Sequence, residues 1–280
     1  MPFVSRESFK QLNSNNLMAA ELKNPINENE PLLRGNLFRP LFLALNSNVK
    51  KGYTSIKVFE AGNVFKKEKN SFTQSLHLSG MIYHHEPQHT WSYKELAYDF
   101  YSLKAEISKL LQTLGMQNIE FQKASSFMPF NENALDVFIG KHKIAVIGEI
   151  DLSVTEKLVK KQAYGFEIYP EKIPLVSSNP KIKKTSKFPL SAQDINIVID
   201  KSIPYKEIEK VIVNGAIKFL TSFSLINTFE GKDIPKGSIS MTLRVVFQSN
   251  TKSLSESDIN GSMQMTVNLL EKRLNAKIRS

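Results

Sequence analysis

The chain has 280 residues and no cysteine, which excludes disulfides, thiolate catalysis and thiolate metal sites. Its length exceeds the usual single hydrophobic core, so two domains are expected. The net charge of +10 is uneven, because residues 181–280 carry 16 Lys+Arg against 9 Asp+Glu and the rest carry 21 against 18.

Residues 1–10 lack an apolar signal-peptide core, and the longest apolar run near the start, Leu41 to Leu45, is too short to span a bilayer. A cytoplasmic protein with no membrane partner is expected. Asn24-Pro25 marks a turn, and Leu33, Leu37, Leu41 and Leu45 recur at helical four-spacing. Tyr53 to Phe59 and Val64-Phe65 suggest a hairpin, and Leu76, Leu78, Gly80 and Ile82 alternate as a strand. Asp99 precedes the strongest helical stripe of this half: Phe100, Leu103, Ile107, Leu110, Leu111 and Leu114. Val137 to Ile139 and Ile144 to Ile150 form a strand pair around a Gly-Lys-His-Lys turn. Strands linked mostly by turns, with helices inserted, predict an antiparallel α+β domain.

Tyr169 to Lys187 is rich in lysine, proline and serine, a linker composition, and sets the boundary near Thr185 to Lys187. The expected domains are therefore residues 1–180 and 187–280. In the second, Ile195, Ile197 and Ile199 alternate as a strand, and Pro204 opens a helix with Ile208, Val211 and Ile212 on one face. Leu220 to Phe229 reads as extended, Gly231 to Gly237 as a turn, and Met241, Leu243, Val245 and Phe247 as a strand. Ser255 caps a helix striped by Ile259, Met263, Val267, Leu270 and Leu274, and a short apolar-basic tail follows. This order is a ferredoxin-like β-α-β-β-α-β unit, which leaves one sheet face open for a ligand. Its excess positive charge suits a polyanion, although a lysine-rich solvated surface is an equally ready explanation.

Phosphate-binding signatures are missing: there is no G-x-x-x-x-G-K-[ST], and no G-x-G-x-x-G follows a strand. His84, His85 and His89 are metal-ligating residue types, but Pro87 interrupts them and a solvated loop is the plainer reading. Glu60, Glu106, Glu149 and Asp151 lie in or beside apolar segments, where acid–base work competes with capping and ion pairing. Phe229 follows Asn227 at a strand end. A ring there is suited to stacking a splayed base and an amide to reading its edge, yet alternation and the common fate of phenylalanine point to the core.

Five ordered blocks carry a family resemblance. They are Phe3-Val4-Ser5 with Asn24 to Glu28 and Leu33 to Leu37; Val58 to Phe65; Asp99 to Glu106 after Trp91; Ile147 to Ile150; and Lys187-Phe188-Pro189 with Asp194, Gly231, Pro235, Gly237, Ser240 and Thr251 to Leu254. Over nearly its whole length the chain resembles the C-terminal part of the bacterial phenylalanyl-tRNA synthetase β-subunit. The resemblance implies a class II synthetase-like antiparallel domain over residues 1–180 that is not catalytic. That domain packs on an α-subunit holding ATP, Mg2+ and phenylalanine in an α2β2 assembly. It also implies a ferredoxin-fold anticodon-binding domain over residues 187–280. The positions matching the family's contacts to tRNA(Phe) are Asn227, Phe229, Ser240 and Arg279, with Phe229 standing where a tyrosine stacks on an anticodon base. No catalytic residue, metal site or bound cofactor is expected in this chain itself.

Two departures stand out. Ala192-Gln193-Asp194 replaces the family's R-R-D, and Pro129 to Ala134 replaces H-P-G-R-x-A. The family's preceding tRNA-binding and editing modules have no counterpart in these residues. A fragment and a truncated relative, including a stand-alone RNA-binding or scaffold module without ligase activity, both stay open.

Overall fold

The computed structural model describes residues 2–13, 18–69, 71–84, 91–92, 97–124, 129–151, 153–154, 162–174, 186–231 and 233–279. The chain divides into two compact units, Met1–Pro180 and Lys181–Ser280. Thr185, at the edge of the expected linker, lies outside the described residues, as do His85 and His89.

The first unit opens with β1 (Phe3–Val4), α1 (Arg6–Leu12), β2 (Leu32–Leu33) and α2 (Phe38–Lys50). It continues with β3 (Ser55–Lys67), β4 (Phe72–His84), α3 (Phe100–Thr113), β5 (Ile119–Lys123), β6 (Phe130–Ile139), β7 (His142–Ile150) and β8 (Ala163–Ile168). Six strands pair antiparallel in the order β3-β4-β8-β7-β6-β5. Alternation along the strands sends successive side chains to opposite faces. Met81, Tyr83 and Val146 pack with Phe38, Leu41 and Leu45 of α2, whereas Ile82, Ala145 and Ile147 pack with Leu103, Ile107 and Leu111 of α3. Each face is thus sealed by one helix.

Helix α3 begins where the sequence predicts, because Asp99 and Ser102 form a reciprocal capping box, with the Ser102 amide donating to Asp99 Oδ1 at 2.7 Å. Its outer edge is less buried than the apolar stripe suggests: Leu110 and Leu114 are exposed. The four-spaced leucines correct similarly. Leu33 pairs with Phe3 in a two-stranded ladder and Leu37 precedes the helix, so only Leu41 and Leu45 are helical.

The expected hairpin between Tyr53–Phe59 and Val64-Phe65 is instead one continuous strand, β3, and the hairpin partner is β4. Gly62 lies in the gap between those two segments. It makes no turn; it leaves room for Arg34, whose guanidinium occupies the space a Cβ would take. Arg34 is buried there, with Nη1 2.6 Å from Glu60 Oε1 and Nε donating to the Asn63 carbonyl at 2.9 Å. Removing either partner would leave the buried charge uncompensated.

The second unit contains β9 (Ser191–Asp200), α4 (Tyr205–Asn214), β10 (Leu220–Phe229), β11 (Ser238–Phe247), α5 (Glu256–Leu274) and β12 (Lys277–Arg279). The antiparallel order is β10-β11-β9-β12, and the short tail supplies the fourth strand. Ile195, Ile197 and Ile199, together with Leu243, Val245 and Phe247, pack with Ile208, Ile212 and Leu270 from the two helices. Both helices therefore lie on one face, and the other face stays open, as the ferredoxin-like reading requires.

Of the apolar stripe of α5 only Leu270 is buried; Ser262 and Thr266 complete the buried ridge, and Ile259, Met263 and Leu274 pack partly buried beside it. Two hydroxyls are tolerated there because each donates back to the carbonyl four residues earlier: Ser262 Oγ to Asp258 and Thr266 Oγ1 to Ser262, both at 2.9 Å. Small side chains also let the helix approach the sheet closely. Ser255 and Asp258 form the N-terminal capping box, and Asn275, with φ 52°, takes the left-handed conformation that ends the helix and redirects the chain into β12.

The Asp258 carboxyl is held at about 2, below its ordinary value near 3.8, first by the Lys252 ammonium at 2.7 Å and then by the Ser255 donors. A carboxyl depressed in the folded state stabilises it above the unfolded-chain value, and that contribution is lost as pH falls through the folded value. Asp258→Asn should therefore flatten the acid limb of a stability–pH profile between about pH 4 and pH 2 while leaving its shape near neutrality unchanged. Thermal melts of both proteins across that window measure this.

Candidate nucleic-acid interface

The open face of the second sheet is assembled by strand register. One row across all four strands reads Asn227 (β10), Thr242 (β11), Asn196 (β9) and Arg279 (β12). The adjacent row reads Phe229, Ser240, Val198 and Lys277. All four residues expected from the family's anticodon contacts therefore share one surface. Three inter-strand spacings separate the aromatic from the basic edge, about 14 Å.

Asn227 and Phe229 reach this surface through a bulge. Leu225 pairs with Leu243 and Asn227 with Thr242, the very next residue of β11, so Ile226 is an extra residue in β10. In an unbroken strand Phe223, Leu225, Asn227 and Phe229 would all face the helices, because side-chain direction repeats every two residues. The inserted residue reverses that phase. Phe229 is consequently 50% exposed, which corrects the core placement that alternation alone suggests.

The Phe229 ring leans over Gly231, where a Cβ would lie 2.5 Å from Cζ. The glycine thus gives the ring a flat seat while its outer part stays open. Ser240 is only 7% exposed, between Phe229 and Val198 in its row, and offers little surface of its own. Lys277 and Arg279 are exposed, and neither forms an ion pair with a described residue. The acid next along β9 is neutralised: Asp194 takes both Arg244 Nε and Nη2 at 2.8 Å, and that guanidinium holds its carboxyl below the usual range. An exposed ring, side-chain amides and exposed cations on one open sheet are the parts needed to stack a base, read its edge and neutralise phosphate. Asn196, Thr242 and Lys277 escaped the sequence reading, and only the register of β9, β11 and β12 brings them into it.

The first unit's candidates are occupied by structural contacts. Glu60 pairs with Arg34, and Glu106 with Lys57 at 2.6 Å and the Tyr98 hydroxyl at 3.0 Å. Burial, followed by the Glu106 charge, pushes that hydroxyl well above the ordinary phenol range. Glu149 accepts from Asn131 and Asn133, and Asp151 from the Ser153 amide. His84 shares a hydrogen bond with Ser55 at 2.9 Å. Among the described residues no three His, Asp or Glu side chains are grouped to hold a metal ion.

One cluster was not anticipated. Ser75 Oγ lies 3.2 Å from His77 Nε2, His77 Nδ1 lies 3.0 Å from Glu167 Oε1, and Ser79 donates to the same oxygen. Ser75, His77 and Glu167 edge a groove of about 450 Å³. The Leu76 amide beside Ser75 is taken up by Glu171, so the chain of bonds forms a structural network tying β4 to β8. Glu167 is remote in sequence, and only the pairing of β4 with β8 brings it to His77 and Ser79.

If Gly231 seats the ring, Gly231→Ala should displace Phe229 with a melting-temperature change of only a few degrees, as expected for a surface site. Aromatic NMR resonances of the Phe229 ring should shift while those of Phe247 in the core stay in place.

Residues 1–169 match the family described as the phenylalanyl-tRNA synthetase beta chain CLM domain, and residues 186–279 match the ferredoxin-fold anticodon binding domain. A phenylalanine–tRNA ligase beta subunit from Lactobacillus acidophilus is 26% identical over 261 residues, covering 91% of this chain and 32% of the relative. The corresponding subunit from Wigglesworthia glossinidia brevipalpis is 28% identical over 272 residues, covering 95% and 34%. That from Carboxydothermus hydrogenoformans is 28% identical over 263 residues, covering 92% and 33%. The chain thus spans about a third of the length of these curated relatives. A solved pyrrolysyl-tRNA synthetase from Desulfitobacterium hafniense superposes with TM-score 0.46 at 13% identity, over 61% of this chain and 57% of that one.

Proposed function

This chain belongs to the phenylalanyl-tRNA synthetase β-chain family, and we propose that it is the part of a β-subunit that supports attachment of phenylalanine to tRNA(Phe) without performing the chemistry. In this reading residues 187–280 bind the anticodon through the open sheet face, and residues 1–180 pack on the catalytic α-subunit in the cytoplasm. The observation that carries the reading is the strand register that gathers Asn227, Phe229, Ser240 and Arg279 on one face.

Each part has a role set by its chemistry. The half-exposed Phe229 ring stacks on an unpaired base, a contact every base offers through its π-face. The Asn227 amide is placed two residues away to meet that base's edge. Arg279 and Lys277 neutralise backbone phosphate and make binding salt-sensitive. In this reading ATP and Mg2+ are held by the α-subunit, while Glu60, Glu106 and Glu149 of the first unit serve structural contacts. A second reading, a stand-alone RNA-binding or scaffold module without ligase activity, is favoured by Ala192 and Gln193 standing where the family has paired arginines. Aminoacylation that depends on this chain in a reconstituted enzyme separates the two.

Phe229→Ala should weaken tRNA(Phe) binding about tenfold, since stacking is worth about 1–3 kcal/mol per base, and the wild-type affinity should fall steeply with salt. Unchanged affinity with an intact fold would leave only a scaffold. Gel filtration with a cognate α-subunit at micromolar concentration should give one co-eluting peak, and two separate peaks would count against the proposed packing.

A further inference from the structure

The open face holds a further oriented polar side chain besides the residues that match the family's contacts. Asn196 is exposed at the centre of the row Asn227–Thr242–Asn196–Arg279. Thr242 Oγ1 donates to Asn196 Oδ1 at 2.7 Å. That bond commits the carbonyl end of the amide to the protein and fixes the side chain's orientation. The Nδ2 group is left with two donor hydrogens and no acceptor among the described residues. The Arg244–Asp194 pair lies two residues back along β9, and Arg279 lies opposite on β12.

We propose that Asn196, oriented by Thr242, is a specificity-determining residue that selects a keto-bearing base, guanine or uracil, in single-stranded RNA held on this face. The inference rests on the open face being the RNA site. Guanine presents O6 and N7 as acceptors, and uracil, like thymine, presents O4. Adenine shares the N7 acceptor, so the discrimination lies at the exocyclic position, where adenine and cytosine place an amino donor and two donors meeting leave both unpaired. The selection thus comes as much from the penalty against the wrong base as from the bond to the right one. Arg279, next in the row, supplies a cation to the phosphate of the same or the adjoining nucleotide, and Phe229 stacks the base at the opposite edge. Thr242 is a positioning residue, acting only through the amide it holds.

The test uses the full chain and RNA hairpins that differ in one loop position, carrying G, U, A or C. The wild-type chain should bind the G and U hairpins about tenfold more tightly than the A and C hairpins, the discrimination a good amide–base contact gives. Asn196→Asp keeps the shape and the bond from Thr242 but replaces both donors with an acceptor. It should abolish or reverse that preference. Asn196→Ala should erase the preference, and Thr242→Val should weaken it partly. Circular dichroism and melting of each variant exclude unfolding as the cause. Preference retained in Asn196→Asp, while Phe229→Ala still weakens every hairpin, would overturn the inference and leave the open face as the site. Hairpin binding indifferent to Phe229→Ala as well as to Asn196→Asp would instead overturn the assignment of the open face to RNA, and with it this inference.

Discussion

One inserted residue in β10 decides what the second unit presents to its surroundings. Upstream of Ile226, Phe223 and Leu225 point into the core opposite Val245 and Leu243. Downstream, Asn227 and Phe229 point the other way, opposite Thr242 and Ser240. Had the strand run without a bulge, an aromatic ring and an amide would have been driven toward the helices, and the open face would have lost both. Side-chain direction has a period of two, so a single extra residue is the smallest change that reverses it. The bulge lies in an edge strand, where a local break in pairing costs least and bulges are commonest.

The rest of the unit makes that reversal sustainable. Leu243, Val245 and Phe247 of β11 are fully buried in the core on one side of the irregularity, and Met241, also buried, anchors the strand on the other. Helix α5 can lie close because the centre of its buried ridge is Ser262 and Thr266, whose hydroxyls are satisfied within the helix. The turn of Asn275 then brings β12 back along β9 with Arg279 opposite Asn196. Removal of a side chain serves the same end twice: Gly231 makes room for the Phe229 ring, and Gly62 in the first unit makes room for the Arg34 guanidinium.

Much of the architecture was legible in the residues, and the exceptions have physical causes. Helices α3 and α5 announced themselves through Asp99 and Ser255, since caps are local signals. Strands β9 and β11 showed clean alternation because one face is buried and the other is open. Strand β8 did not, since Ala163, Tyr164 and Ile168 are buried in a central strand covered on both faces, which removes the alternation. The segments Tyr53–Phe59 and Val64-Phe65 read as two strands of a hairpin but are one strand, with Gly62 between them serving a close approach by Arg34. Phe229 read as core because the bulge at Ile226 leaves no mark in a one-dimensional pattern. The family resemblance supplied Asn227, Phe229, Ser240 and Arg279, but Asn196 and Thr242 emerge only when β9 is laid beside β11.

The central claim is that the bulge-directed open face, rather than the helical face, meets RNA. Backbone amide NMR shifts recorded while an anticodon stem-loop RNA is titrated into the full chain test it most directly. The account predicts the largest changes at Asn196, Asn227, Phe229, Thr242, Lys277 and Arg279, with α4 and α5 unperturbed. Changes confined to the two helices, with the open face silent, would contradict it.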